Sequence, residues 1–551
     1  MSDVAIRAGD ITEAANTRRL DAWWEWFEQR LESAGDYLNP ILVKETRQAI
    51  KSRQFALTFV MLLIACWGVT IGGVAIVGPG IRYMAAGGDL LLFYYGILAF
   101  PLAVIVPFAA FRSLAAERDD NTYDLLAVST LTPRQIINGK LGSAVVQMGV
   151  FFSAVSPCLA FTYLLRGVDV VTILLLLGDL VLGSLGLSMI ALLMAAVSNQ
   201  RYGQIVVSVV LVAGLLLVFW YATQTATEIV QNGPMYTGDP DFWVTVLFGL
   251  TVYATTMTIL YFAAAGMVTY SSANRSTPLR ATVFVQQVCL LGWAAYYWIA
   301  GNFDVDLLVI TAIGMGVYWQ FVGALLTGES PELSRRVRRG LPQTTLGRLL
   351  FSWFQPGSGT GYMFAIANLV AWALMLCAAS ALAESWGVST HGLTIGLTVF
   401  CILGIGYVVA YLGIGRLIVA MLRRWTIVSM LGAFLIQLLL ALAGSGIPYV
   451  IQMTTAEMRN LPYHYLQVTN PLWTLSYLID DRDLPPETIP LLIAIVGAAL
   501  CVFLANLPSL VRETRQSRLA VPQRVVEDEA ALHPEPEALP SSPWDEGGII
   551  G

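Results

Sequence analysis

Side chains able to do chemistry are scarce in this chain, and their densest run lies between residues 111 and 147. It reads FRSLAAERDDNTYDLLAVSTLTPRQIINGKLGSAVVQ. The segment is too polar for lipid, and it is punctuated like an ordered structure. Glu117 and Arg118 end one helix. Asn121-Thr122 breaks it, and Thr122 can cap a short helix through Tyr123, Asp124, Leu125, Leu126 and Val128. Thr132-Pro133 is a second cap followed by proline at the first helical position, and Gly139-Lys140 leads into the next helix. A short rigid helix held between two long ones can pass force from a soluble partner to both. The plainer reading is an ordinary connecting loop.

Other constellations are missing. The three histidines, His391, His464 and His533, lie far apart. The six cysteines, Cys66, Cys158, Cys289, Cys377, Cys401 and Cys501, fall in apolar runs with no CxxC pair and no histidine at metal spacing. They read as small core residues, and no metal or cofactor is expected. A phosphate-cradling loop needs Gly-x-x-x-x-Gly-Lys-[Ser/Thr]. Gly139-Lys140 is followed by Leu141 and lacks the upstream glycine, and Gly357, Gly359 and Gly361 have no lysine beside them. The chain is therefore not expected to be an enzyme, and any ATP it depends on must be hydrolysed by a separate subunit.

The elements that would position the 111–147 segment follow from composition. Of 551 residues, 56% are hydrophobic and 12% charged. Soluble domains carry about a quarter charged residues, so this chain cannot cover a water-facing surface and lipid is its natural solvent. There is no basic stripe with interleaved aromatics, which argues against nucleic acid. The first 50 residues are polar and lack an apolar stretch followed by a cleavage site, so no signal peptide is expected.

A spanning helix needs roughly 20 apolar residues. Spans are predicted near 55–77, 90–111, 144–165, 170–197, 204–222, 242–268, 281–300, 305–326, 362–383, 392–415, 425–443 and 488–508. The expected fold is thus an all-α polytopic membrane protein with about 12 transmembrane helices in two six-helix halves. The predicted organisation is a cytoplasmic N-terminus, 1–54; a first transmembrane half, 55–326; a basic linker, 327–361, taken as the divider; and a second half, 362–510. An outer loop, 444–487, is expected to carry short helices packed on the outer face, and an acidic, proline-rich tail, 511–551, to be disordered.

Lys and Arg favour the cytoplasmic side. One set of alternating loops holds Lys44, Arg47, Lys51, Arg112, Arg118 and Lys140, and later Arg335, Arg336, Arg338 and Arg339. The opposite set holds only Arg82, Arg166, Arg459 and Arg482. The bias keeps its phase along the chain. It predicts a multi-pass protein of the plasma (inner) membrane with both ends in the cytoplasm.

Three further features bear on the membrane. In the stretch 18–35, Trp23, Trp24 and Phe27 recur at helical spacing opposite Asp21, Glu25 and Glu28. That is an amphipathic elbow helix suited to the lipid interface, or to a soluble partner. Asn39-Pro40 then starts a second, basic helix through Arg53. Asp179, in LLLLGDLVLGSLG, is the clearest ionisable residue within a span, and such a residue is a functional candidate by default. It could equally sit shallow or bond a neighbouring helix. Arg416 is expected to snorkel to the cytoplasmic edge.

The segments Asn39 to Arg53 and Glu117 to Leu126, with Thr132-Pro133 and Gly139-Lys140, resemble the membrane subunits of type-two exporter ABC (ATP-binding-cassette) transporters. The resemblance covers roughly residues 39–270. It implies an interfacial elbow helix before the first span and a cytoplasmic coupling helix between spans two and three that contacts the ATPase. Carried over by match, Glu117, Arg118, Thr122, Asp124, Leu125, Leu126, Pro133, Gly139 and Lys140 fall in that ATPase-coupling stretch. Asn121 stands where the family usually has Gly, and it also tolerates a left-handed turn. The implied protein is a permease subunit, moving its substrate outward with an ABC-type ATPase supplied in trans, among membrane lipids, as a homodimer or a heterodimer. An ion-coupled secondary transporter and a non-transporting membrane component of a larger complex are the alternatives.

Overall fold

The computed structural model describes residues 39–77, 86–119, 131–198, 201–232, 238–270, 273–301, 303, 305–331, 333–334, 336–337, 352–386, 393–455, 463–480, 485–516 and 523–532. Among them there is no strand, and 12 helices are long and apolar enough to cross a membrane. The chain divides into two compact units, Met1–Tyr270 and Ser271–Gly551.

The first unit opens with α1 (Pro40–Ile50), then α2 (Arg53–Val77). The second span is composite: α3 (Gly87–Phe100), a π turn (Pro101–Ile105) and α4 (Val106–Asp119). Pro101 has no N–H to donate, and the π turn absorbs the break without ending the span. Then come α5 (Pro133–Leu164), α6 (Val170–Val197), α7 (Arg201–Gln231) and α8 (Pro240–Val268). Asp169 caps α6, accepting from the Thr172 N–H at 3.1 Å and the Thr172 hydroxyl at 2.5 Å, which holds its carboxyl below the usual carboxylate range. The core is built on α3 and its neighbours, where Tyr94, Leu98, Leu102 and Phe151 are fully buried.

The second unit runs α9 (Ser276–Ala300), α10 (Val305–Thr327), α11 (Ser358–Ser385), α12 (Leu393–Leu422), α13 (Met430–Thr455), α14 (Pro471–Asp480), α15 (Thr488–Gln516) and the short α16 (Gln523–Leu532). Its core includes Trp372, Leu376 and Ala383 of α11. The division differs from the one expected at the 327–361 linker. That linker leaves eight predicted spans before it and four after it. Because α10 packs on α11, α12 and α13, the linker lies inside the second unit.

The 444–487 loop also differs from expectation. Helix α13 continues to Thr455, and the segment after it returns alongside α13 and α12. Thr469 donates to the Gly444 carbonyl at 3.0 Å and Asn470 to the Ser445 carbonyl at 3.2 Å. Gly444 lies eleven residues before the end of α13, about 16 Å along it at 1.5 Å per residue. The Tyr407 hydroxyl of α12 donates to the Val468 carbonyl at 2.6 Å, and Tyr411 donates to Thr469. Irregular backbone at such depth survives only where protein satisfies its polar groups, and these side chains do so. The short helices are there, packed beside α12 and α13.

Candidate functional site

The site is built where α1, α4 and α5 meet. Asn39 caps α1, its side chain accepting from the Ile41 N–H at 3.0 Å and donating to the Gln135 carbonyl of α5 at 2.5 Å. Pro40 takes the first helical position, where its missing N–H costs nothing. Helix α1 turns Ile41 and Glu45 inward and keeps Lys44, Arg47 and Lys51 outward. Thr132 and Gln135 cap α5 reciprocally, with the Thr132 N–H donating to Gln135 Oε1 at 2.8 Å.

Gly139 explains why α1 can lie against α5. A Cβ there would stand 2.7 Å from Cβ and Cγ2 of Ile41. The neighbouring Lys140 then supplies the charge. Its ammonium is fully buried, 2.9 Å from Glu45 Oε1, 3.0 Å from Glu117 Oε2 and 3.0 Å from the Ser113 carbonyl. Glu45 Oε1 and the Ser113 carbonyl accept its hydrogen bonds, and Glu117 Oε2 adds an opposite charge at ion-pair distance. Burying an ion costs several kcal/mol, so such a group persists only with close, well-aligned partners. Lys44 reaches Glu117 Oε1 at 3.4 Å from an exposed position and contributes about 0–1 kcal/mol. Two carboxylates and two ammonium groups make the cluster neutral. It ties the second span, the third span and the elbow-region helix to one point.

The predicted site residues divide accordingly. Glu117, Gly139 and Lys140 come together, and Pro133 starts the helix that carries two of them. Arg118 faces away from this cluster and donates to the Ser198 carbonyl at the end of α6, 3.1 Å distant. Thr122, Asp124, Leu125 and Leu126 lie outside the described residues, as do Trp23, Trp24 and Phe27. Gly139-Lys140 sits on the second turn of α5, since that helix begins at Pro133. Glu45 was not singled out as a site residue. The available signal was an acid facing inward on a basic helix, at helical spacing from the buried Ile41.

Asp179 is the tenth residue of α6, about 14 Å from its start, and is exposed. It lies within electrostatic reach of Tyr95 and bonds no neighbouring helix among the described residues.

The second unit holds two ion clusters around the start of α11. Arg280 of α9 is fully buried and reaches Glu329 Oε2 at 2.7 Å, the Trp353 carbonyl at 2.8 Å and the Gly357 carbonyl at 3.0 Å. Glu329 also accepts from the Gly357 N–H at 2.8 Å and the Ser276 hydroxyl at 2.5 Å. Gly357 has φ 141°, which other residues rarely adopt. Arg416 does not snorkel. It turns inward to Glu513 at 2.5 Å and to Asn506 and Ser509 at 2.9 Å each. Glu513 accepts the Gly359 N–H at 2.6 Å, placing a carboxylate on the positive end of α11. The pull of Glu513, itself held at that helix terminus, and of the Asn506 and Ser509 acceptors outweighs the draw of water on Arg416.

Among the described residues no group of His, Cys, Asp and Glu could hold a metal ion. Residues 37–271 match the family model of the CcmB protein, which supports a membrane protein of the ABC-transporter permease type. The matched stretch ends within a residue of the boundary between the two compact units. No curated protein and no solved structure matches the chain.

Proposed function

We propose that this chain is the membrane subunit of an ABC transporter of the type-two exporter kind, and that a separate ATPase docks on the segment from Glu117 to Lys140. The carrying observation is the buried Lys140 ammonium shared by Glu45 and Glu117. A partner that pushes on the connection between α4 and α5 moves α1 and two spans together, because one charge holds all three. The Lys and Arg bias supports a cytoplasmic position for this corner, where ATP is available. Cargo then leaves outward through the spans, and the exposed Asp179 lines that polar path. The matched family is of the heme-export type, which makes heme the first cargo to assay.

The test is recovery of the tagged full-length chain with its ATPase, followed by reconstitution in vesicles. ATP-dependent export is expected, with Glu117→Gln lowering ATPase stimulation and cargo release together. Transport that ignores ATP and collapses with an ion gradient would move the assignment to a secondary transporter. Recovery of no ATP-binding subunit would leave a non-transporting membrane component.

A further inference from the structure

Each unit contains six spans, and they pack in the same order. Numbering the spans one to six within each unit, the first unit closely packs one with two and three, two with three, four and five, three with four and six, and four with five and six. In the second unit α9, α10, α11, α12, α13 and α15 take these places. Every one of those neighbouring pairs recurs except one with three. In neither unit is the first span closely packed against the fourth, fifth or sixth.

The ion clusters fall at the same corner. In the first unit a carboxylate at the end of span two, Glu117, meets a fully buried cation, Lys140, beside the start of span three. In the second a carboxylate just past span two, Glu329, meets a fully buried cation, Arg280, beside the start of span three. The cation comes from span three in one case and span one in the other. The corner is kept although the residue that fills it is not.

We infer that the second unit is a second permease fold with its own docking node at Arg280 and Glu329, so that one copy of this chain takes two ATPase subunits. This rests on the ATPase-coupled reading above. The connection between spans two and three of the second unit carries Arg335, Arg336, Arg338 and Arg339. Arg336 is exposed, and the other three lie outside the described residues. The second seat therefore fits an acidic face of the ATPase.

The experiment is native mass spectrometry of the full chain, recovered with its ATPase and held in lipid nanodiscs. One chain with two ATPase copies is expected. Glu329→Gln and the surface change Arg336→Glu should each reduce this to one chain with one ATPase, with Glu329→Asp restoring the second copy. Two chains with two ATPases, or one with one, in the unaltered protein would overturn the inference and leave the ATPase-coupled reading standing. So would Arg336→Glu and Glu329→Gln proteins that elute as the parent does and still hold two ATPases. Recovery of the chain with no ATPase at all would instead remove the reading beneath it.

Discussion

Replacing Lys140 with methionine isolates the charge that holds α1 in place. The side chain length is kept, while Glu45 and Glu117 are left facing each other without their shared cation. Removing one partner from a buried ion pair costs about 3–5 kcal/mol. The apolar anchor of α1, the buried Ile41, contributes about 1.5–3 kcal/mol. The charge is thus the larger of the two restraints, and α1 should detach while the spans stay folded. At about 1.4 kcal/mol per tenfold, the backbone amides of Val43–Ile50 should exchange with deuterium roughly 100- to 4,000-fold faster in nanodiscs. The triple change Lys140→Met with Glu45→Gln and Glu117→Gln removes every buried charge together and should return exchange to within about tenfold of the parent. Exchange within about threefold of the parent for Lys140→Met alone would refute the reasoning. A triple variant as poorly protected as the single one would show that packing and not charge is responsible.

Three other perturbations test separate parts of the structure. Gly139→Ala sets a methyl group 2.7 Å from Ile41 and should weaken α1 docking by about 1–3 kcal/mol, seen as faster exchange in α1 with α5 unchanged. Asp179→Leu removes a carboxylate that costs about 2.5–3.5 kcal/mol at mid-span; heat stability in detergent should rise while transport falls, and undiminished transport would take Asp179 out of the path. Tyr407→Phe leaves the Val468 carbonyl unbonded at a cost of about 1–3 kcal/mol, so a Thr469→Cys reporter should label faster with an impermeant thiol reagent in that background.

The membrane fold was legible because lipid imposes a simple rule on composition: long apolar runs separated by polar ones. The phase of Lys and Arg then orders the runs. Gly139-Lys140 was legible as a pair because one residue allows close approach and the other carries a charge into it. Glu45 was harder, since an acid among Lys44, Arg47 and Lys51 reads as surface charge until the facing helix is known. Arg416 was misread for the same reason: its partners, Glu513 and Asn506, lie some 90 positions away in sequence. The re-entrant run Tyr465–Thr469 carries no hydropathy signal that separates it from an outer loop. Its depth is set by Tyr407, Tyr411 and the carbonyls of α13.

The repeat between the units escaped the sequence for a physical reason that also bears on its use. Helix adjacency in a membrane is fixed by which apolar faces are small and which are large, and many sequences satisfy the same arrangement. A buried ion pair is more demanding, since each charge needs a partner within hydrogen-bonding distance. At the shared corner the two units meet that demand with different cations from different spans. Had the corner been only a packing accident, an apolar residue would serve at lower desolvation cost. Charge at both corners instead argues for a joint that must hold firmly in one arrangement and still be separable by a force applied from outside. A seat for a nucleotide-driven partner requires that property.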